Sequence, residues 1–433
     1  MSPTAYRERA FHRLSVLADH LVQPNLQPAR SNSTVSAKSK VARDMSNFQQ
    51  EAHKLLVIPG PIEVADDVLF ANAHPSMSHM SPDFSKVFQD CITKLKQVLY
   101  TEQGQPFIVA GSGTLGWDMA ASNLVEPGED VLVLNSGYFG DAFADCLSIY
   151  GAKVEQLVAP VGDKPNLTQI EEALKKRKYK MLTFTHVDTS TGVLSDAKEI
   201  CELTKRISPD TITVLDGVCS VGSEEIRMDA WGVDVVLAAS QKGLGVPPGL
   251  CVVCASPKAI SAFKARKAAP TSYFASWAKW LPVMEAYGKG SAAYFATPPV
   301  QIIYALQASL TSMTEKSPTL EERFALHKEA SNKLKTAIQD MGLVLVTLSN
   351  GAAANGMTAV YTPDNLTPGD IVPKMLKRGV IIAAGLHKDI KAKYFRIGHM
   401  GITVVDKSRG DIDNLITALK ESFIEAGFKP KNS

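Results

Sequence analysis

The sequence predicts an α/β protein with a large domain on a mostly parallel sheet flanked by helices, followed by a smaller C-terminal α/β domain. Two observations predict it. Short β-branched runs, apolar on successive residues as strands buried on both faces are, alternate with longer helical stretches. A second cluster of such elements begins after about residue 315. The size agrees: 433 residues, 45% of them hydrophobic and 21% charged, suffice for one large domain and a smaller one.

Residues 1–44 stand apart from the rest. Between Met1 and Arg43 they carry Arg7, Arg9, Arg13, Arg30, Lys38, Lys40 and Arg43 against only Glu8 and Asp19, with a Ser-rich stretch at 31–39. Read as a helix, Ala10, Leu14, Leu17 and Leu21 form an apolar stripe beside the arginines. A basic, Ser-rich, acid-poor leader is the profile of a transit peptide, usually mitochondrial. The alternatives are a disordered tail, or an upstream extension bypassed by initiation at Met45, in a cytoplasmic or peroxisomal protein. The last residues, Lys429-Pro430-Lys431-Asn432-Ser433, do not match the peroxisomal tripeptide signal.

Residues 45–314 make the large domain, with strands at 131–135, 180–185, 211–216, 233–238 and 250–254 and helices such as 167–178 and 196–207 between them. Residues 315–433 make the small one. A helix at 319–341 leads to apolar runs at 343–348, 358–361, 380–384 and 394–397, and an amphipathic helix near 411–426 follows. Residues near the N-terminus are expected to join it.

A net charge of +2 argues against nucleic acid as a bulk partner. No run approaches the roughly 20 apolar residues that span a bilayer. Six scattered cysteines show no disulfide framework, which suits a reducing compartment. Cys251 and Cys254 form a CxxC, but inside an apolar run that reads as a buried strand. Residues three apart on a strand point to opposite faces, so no metal is expected there.

Four segments carry candidate chemistry. In Ser240-Gln241-Lys242-Gly243 a lysine directly follows a buried strand. Burial lowers an amine's pKa and makes it an imine-forming candidate; the bland alternative is a surface lysine at a turn. Asp216 ends the preceding strand, where ligands of parallel sheets bind. It can pair with a pyridinium nitrogen and keep the ring an electron sink, or simply cap a helix. Gly111-Ser112-Gly113-Thr114 opens a helical stretch and suits a phosphate; with Gly116 its spacing also admits a dinucleotide site. Arg396 lies within a strand and can grip a carboxylate through two parallel N–H bonds, or form a structural ion pair.

Read with Leu55 to Pro61, Met80 to Phe84, Thr185 to Val193, Asp216 to Ser220 and Ala293 to Pro299, these segments resemble the fold-type I, class V aminotransferases. The likeness runs from about Leu55 to the end of the chain. It is strongest to the alanine–glyoxylate (serine–pyruvate) branch in its fungal form.

The resemblance implies a seven-stranded-type sheet in a large domain that binds pyridoxal 5′-phosphate, and transamination from alanine to glyoxylate by a ping-pong scheme. Lys242 would hold the cofactor as an imine and Asp216 would bond its pyridine nitrogen, with Val218 near the ring. Gly113, Thr114 and Gln241 would contact the phosphate. Tyr294 and Thr297 would reach the phosphate of the other subunit, which implies a homodimer with shared sites acting on a small amino acid and a 2-oxo acid. Thr189 would bond the ring hydroxyl region, Arg396 the substrate carboxylate, and the backbone near Gly60 would line the pocket. Animal members stack a tryptophan on the ring and carry histidine in place of Thr114. Here Asn135-Ser136-Gly137-Tyr138-Phe139 offers Tyr138 or Phe139, and Phe139 is the expected stacking residue.

The rival readings are serine–pyruvate or serine–glyoxylate transamination, a desulfurase-type lyase, a nicotinamide oxidoreductase and a non-catalytic relative. A desulfurase should carry a catalytic cysteine on a mobile loop in the C-terminal half, and none of the six cysteines lies beyond Cys254, which counts against that reading.

Overall fold

The computed structural model describes residue 45 and residues 48–429. The leader at 1–44 and its transit-peptide reading lie outside the described residues. The strands are β1 (Leu55–Leu56), β2 (Gln105–Ala110), β3 (Asp130–Asn135), β4 (Lys153–Val158), β5 (Met181–Thr185), β6 (Ile212–Asp216), β7 (Val235–Ala239), β8 (Leu250–Ala255), β9 (Met357–Tyr361), β10 (Val380–Ile381), β11 (Ala383–Ala384) and β12 (Tyr394–Gly398).

A seven-stranded sheet runs in the order β2-β8-β7-β6-β5-β3-β4. The neighbours from β7 through β6, β5 and β3 to β4 pair parallel, whereas β8 pairs antiparallel with both β2 and β7. Every residue of β5, β6, β7 and β8 is buried, which is why their sequences are apolar without alternation. This topology positions the site. Because only β8 is reversed, the carboxyl ends of β2, β3, β5, β6 and β7 emerge along one edge, and the β7–β8 connection starts there.

Two small sheets lie outside it. β11, β12 and β9 form an antiparallel trio, and β1 pairs parallel with β10. The Leu55–Leu56 segment thus lies beside Val380–Ile381. The core around Leu334, Ile338, Phe395, Leu415 and Phe423 is distinct from the one packed on the large sheet.

Some elements differ from the sequence reading. The run at 343–348 is not a strand; it makes one bridge, Leu345 to Val360, and leaves Val344 and Leu348 63% and 66% exposed. The run at 380–384 changes partner at Ile382, giving the short β10 and β11. β4 went unread because it lies at the sheet edge with a half-exposed, charged sequence. Cys251 and Cys254 are buried in β8 with free thiols, and burial pushes the Cys254 thiol up to about 12. Among the described residues no helix is long and apolar enough to cross a membrane.

Candidate active site

The loops at the carboxyl edge of the sheet enclose a cavity of about 210 Å³. A water molecule's share is only about 30 Å³, so the space takes a small organic molecule. Gly60, Gly113, Thr114, Phe139, Thr189, Asp216, Val218, Gln241 and Lys242 all line it. The parallel topology therefore gathers nine of the predicted positions from six separate segments.

Lys242 is 8% exposed, and its Nζ donates to the Pro59 carbonyl oxygen. Burial holds its pKa below the usual lysine range. A buried amine with one neutral partner is poised as a nucleophile or base, and a surface turn lysine has neither property. Gly60 explains itself here. It sits at φ +120°, and a Cβ there would lie 2.5 Å from Lys242 Cδ, so a side chain would displace the amine.

Asp216 ends β6 fully inside the protein. Its Oδ1 accepts from the Val218 N–H at 3.0 Å and its Oδ2 from the Trp117 Nε1–H at 2.8 Å. Burial raises its pKa to about 6, although both hydrogen bonds oppose the rise. Each oxygen keeps a lone pair, so the carboxylate can accept one more proton donor.

The helix Thr114–Leu124 begins at the cavity and brings the positive end of its dipole there, with the Leu115 and Gly116 N–H groups taken up by Ser112 O and Gly113 O. A Cβ on Gly113 would lie 3.0 Å from Val218 and 3.2 Å from Ala239, so only glycine leaves this cradle open. Gln241 presents a buried Oε1 with no hydrogen-bond partner. A flip of that amide turns an orphan acceptor into a donor for an anion.

Phe139 is held by its helix, Tyr138–Ile149. Asp188 Oδ2 accepts from the Phe139 and Gly140 N–H groups, and Ser190 Oγ accepts from Tyr138 N–H. Asp188 and Ser190 thus cap a helix far away in sequence. His186, between them and β5, bonds Ser220 Oγ at 3.0 Å; burial pushes its pKa down to about 3, so it stays neutral.

Arg396 stands on β12 beside the cavity. Its Nε donates to Ala384 O at 2.9 Å and its Nη1 to Thr189 O at 3.2 Å, the latter on a residue that lines the cavity. Among the described residues no carboxylate pairs with it, so the structural ion pair does not form. Tyr294 and Thr297 are the two predicted positions not brought to this cavity. Both are exposed, Tyr294 by 65%, with its ring 5.4 Å from that of His79.

The sequence reading missed Trp117, Asp188 and Ser190. For Trp117 a signal was available. It lies four residues after Gly113, one helical turn on and thus on the same face.

The family model of the class-V aminotransferases matches residues 67–400. The chain belongs to the class-V aminotransferases. Among curated relatives, alanine–glyoxylate aminotransferase 1 of Saccharomyces cerevisiae is 43% identical over 378 residues, covering 84% of this chain and 96% of that protein. Alanine–glyoxylate aminotransferase of Oryctolagus cuniculus is 32% identical, over 86% and 92% of the two chains. Among solved structures, an alanine–glyoxylate aminotransferase from Nostoc sp. superimposes with a TM-score of 0.80 at 27% identity, over 87% of this chain and 96% of that one. Class-V aminotransferases work with pyridoxal 5′-phosphate. The residues here fit that group: a buried amine, a carboxylate with spare lone pairs, an open glycine cradle and an orphan amide surround one cavity.

Proposed function

We propose that this class-V aminotransferase moves the amino group of L-alanine onto glyoxylate, yielding pyruvate and glycine, with one site serving both half-reactions. The observation that carries the reading is the buried Lys242 amine sharing a cavity with buried Asp216. Its substrate pair comes from the likeness to the yeast and rabbit enzymes.

Lys242 is the residue that would hold pyridoxal phosphate, and Gly113, Thr114 and Gln241 would hold its phosphate. Bound there, the cofactor supplies an electrophilic carbon and a ring that absorbs the electron pair left at the substrate's α-carbon. Asp216, with its pKa raised to about 6, is ionised at neutral pH and would hold a proton on the pyridine nitrogen. Phe139 and Val218, which line the same cavity, would pack against the ring, and Thr189 would meet its hydroxyl.

Arg396 grips the carboxylate shared by alanine and glyoxylate, which orients the α-C–H bond. Lys242, once freed of the cofactor, would be the base that takes the α-proton and gives it back, and burial lowers its pKa in the direction that favours the neutral amine this needs. The neighbouring Pro59 carbonyl and Gly60 backbone keep it aimed into the cavity.

The outward placement of Tyr294 and Thr297 supports a homodimer in which they complete the phosphate site of the partner subunit. The reaction is tested by supplying the purified protein with alanine and glyoxylate and following pyruvate. Pyruvate released with parallel double-reciprocal lines supports the scheme. Activity with serine but not alanine moves the donor, and no product from either contradicts it.

A further inference from the structure

Arg323 stands in the first turn of the helix Leu320–Asp340 and is 6% exposed. Its Nε is buried without a hydrogen-bond partner, and its guanidinium finds no acceptor among the described residues. Burial alone pulls its pKa down to about 10, with no carboxylate acting against it. A buried cation without a partner is costly, so this arrangement calls for a counter-charge.

The guanidinium lines a separate cavity of about 40 Å³, together with Ser309, Ser312, Gly245, Glu63 and Asp67. Neither carboxylate serves Arg323. Glu63 accepts from the Leu56 N–H at 2.8 Å, His53 at 3.0 Å and Arg409 at 3.2 Å, and Asp67 pairs with Lys316 at 3.5 Å. The Ser309 hydroxyl donates to Leu244 O.

We propose that Arg323 and this cavity bind one small inorganic anion, with chloride as the probe. The space holds about two or three water-sized groups, enough for such an anion and too little for an organic cofactor. Charge decides against water alone, because a water molecule accepts a hydrogen bond without compensating the cation. The site is separate from the transaminase cavity: Gly245 is on the Lys242 loop, and Gly401, on the same cavity wall, follows the Arg396 strand. A bound anion ties the long helix to both.

The test compares melting of the full-length holoenzyme in sodium chloride and in sodium gluconate at equal ionic strength, gluconate being too large to enter. Chloride should give a saturable rise of about 1–3 °C, and Arg323→Met should abolish the difference. Crystals of the unaltered protein grown with bromide should show an anomalous peak within hydrogen-bond reach of the guanidinium, which decides the matter even when the variant does not fold. Equal melting in the two salts, or density for water or for another segment of this chain against Arg323, would overturn the proposal.

Discussion

The indole Nε1–H of Trp117 donates to Asp216 Oδ2 across 2.8 Å, joining the start of the glycine-loop helix to the end of β6. That bond favours the ionised carboxylate against the burial that disfavours it. Trp117→Phe keeps the stacking on Phe143, whose ring lies 5.4 Å away, but removes the donor. Hydrogen bonds to charged groups are worth about 1.5–3 kcal/mol. Titration of the apoprotein with pyridoxal phosphate should therefore show at least a tenfold loss of affinity. Unchanged affinity would mean that Trp117 only fills space.

Asp216 should make the apoprotein less stable in exchange for function. Its folded pKa, about 6, lies above the unfolded value of about 3.9. The folded state therefore binds more protons between those values, and stability falls as pH rises from about 4 to 6. Asp216→Asn should flatten that pH dependence, while turnover is lost. Denaturant melts at pH 4 and 7.5 check it; an unchanged fall in stability between those values would contradict the account.

Arg396 has its Nε and Nη1 on backbone carbonyls and no carboxylate partner among the described residues. Arg396→Lys keeps the charge and loses the planar fork. The KM for alanine and for glyoxylate should both rise, by about ten- to a hundredfold. A rise for only one substrate would show that the two carboxylates are held by different groups.

Asp188 positions Phe139 through the helix it caps. Asp188→Ala should cost about 1–2 kcal/mol of stability and loosen the cofactor, whereas Asp188→Asn, whose one amide oxygen can still accept from Phe139 and Gly140, should lose less of both. Equal losses in the two variants would remove the capping explanation.

The homodimer makes its own prediction. Mixing subunits carrying Lys242→Ala with subunits carrying Tyr294→Phe and Thr297→Ala should restore turnover that neither parent has, because one hybrid site is whole. No recovery after subunit exchange would separate Tyr294 and Thr297 from the neighbour's site.

Much of this site was legible because parallel strands put chemistry at their carboxyl ends. The uniform apolarity of β6 and β7 marked Asp216 and Lys242 as residues that emerge from a buried sheet. Trp117 was missed because an indole in an apolar helix reads as core: its spacing from Gly113 put it on the right face, but only the fold brings its N–H to Asp216. β4 was missed for the opposite reason: an edge strand has one unpaired side and tolerates Lys153, Glu155 and Gln156. The run at 343–348 shows that apolarity alone does not make a strand, since it needs a neighbour along its length. Tyr294 and Thr297 stay unassigned in a single chain, because their proposed ligand lies in another.

The most direct test of the central claim is the absorbance spectrum of the purified holoenzyme through one cycle. The account predicts a near-visible cofactor band that alanine removes, that glyoxylate restores, and that Lys242→Ala never forms by itself. A protein with no such band even after pyridoxal phosphate is added, or a band indifferent to every amino acid, would contradict it.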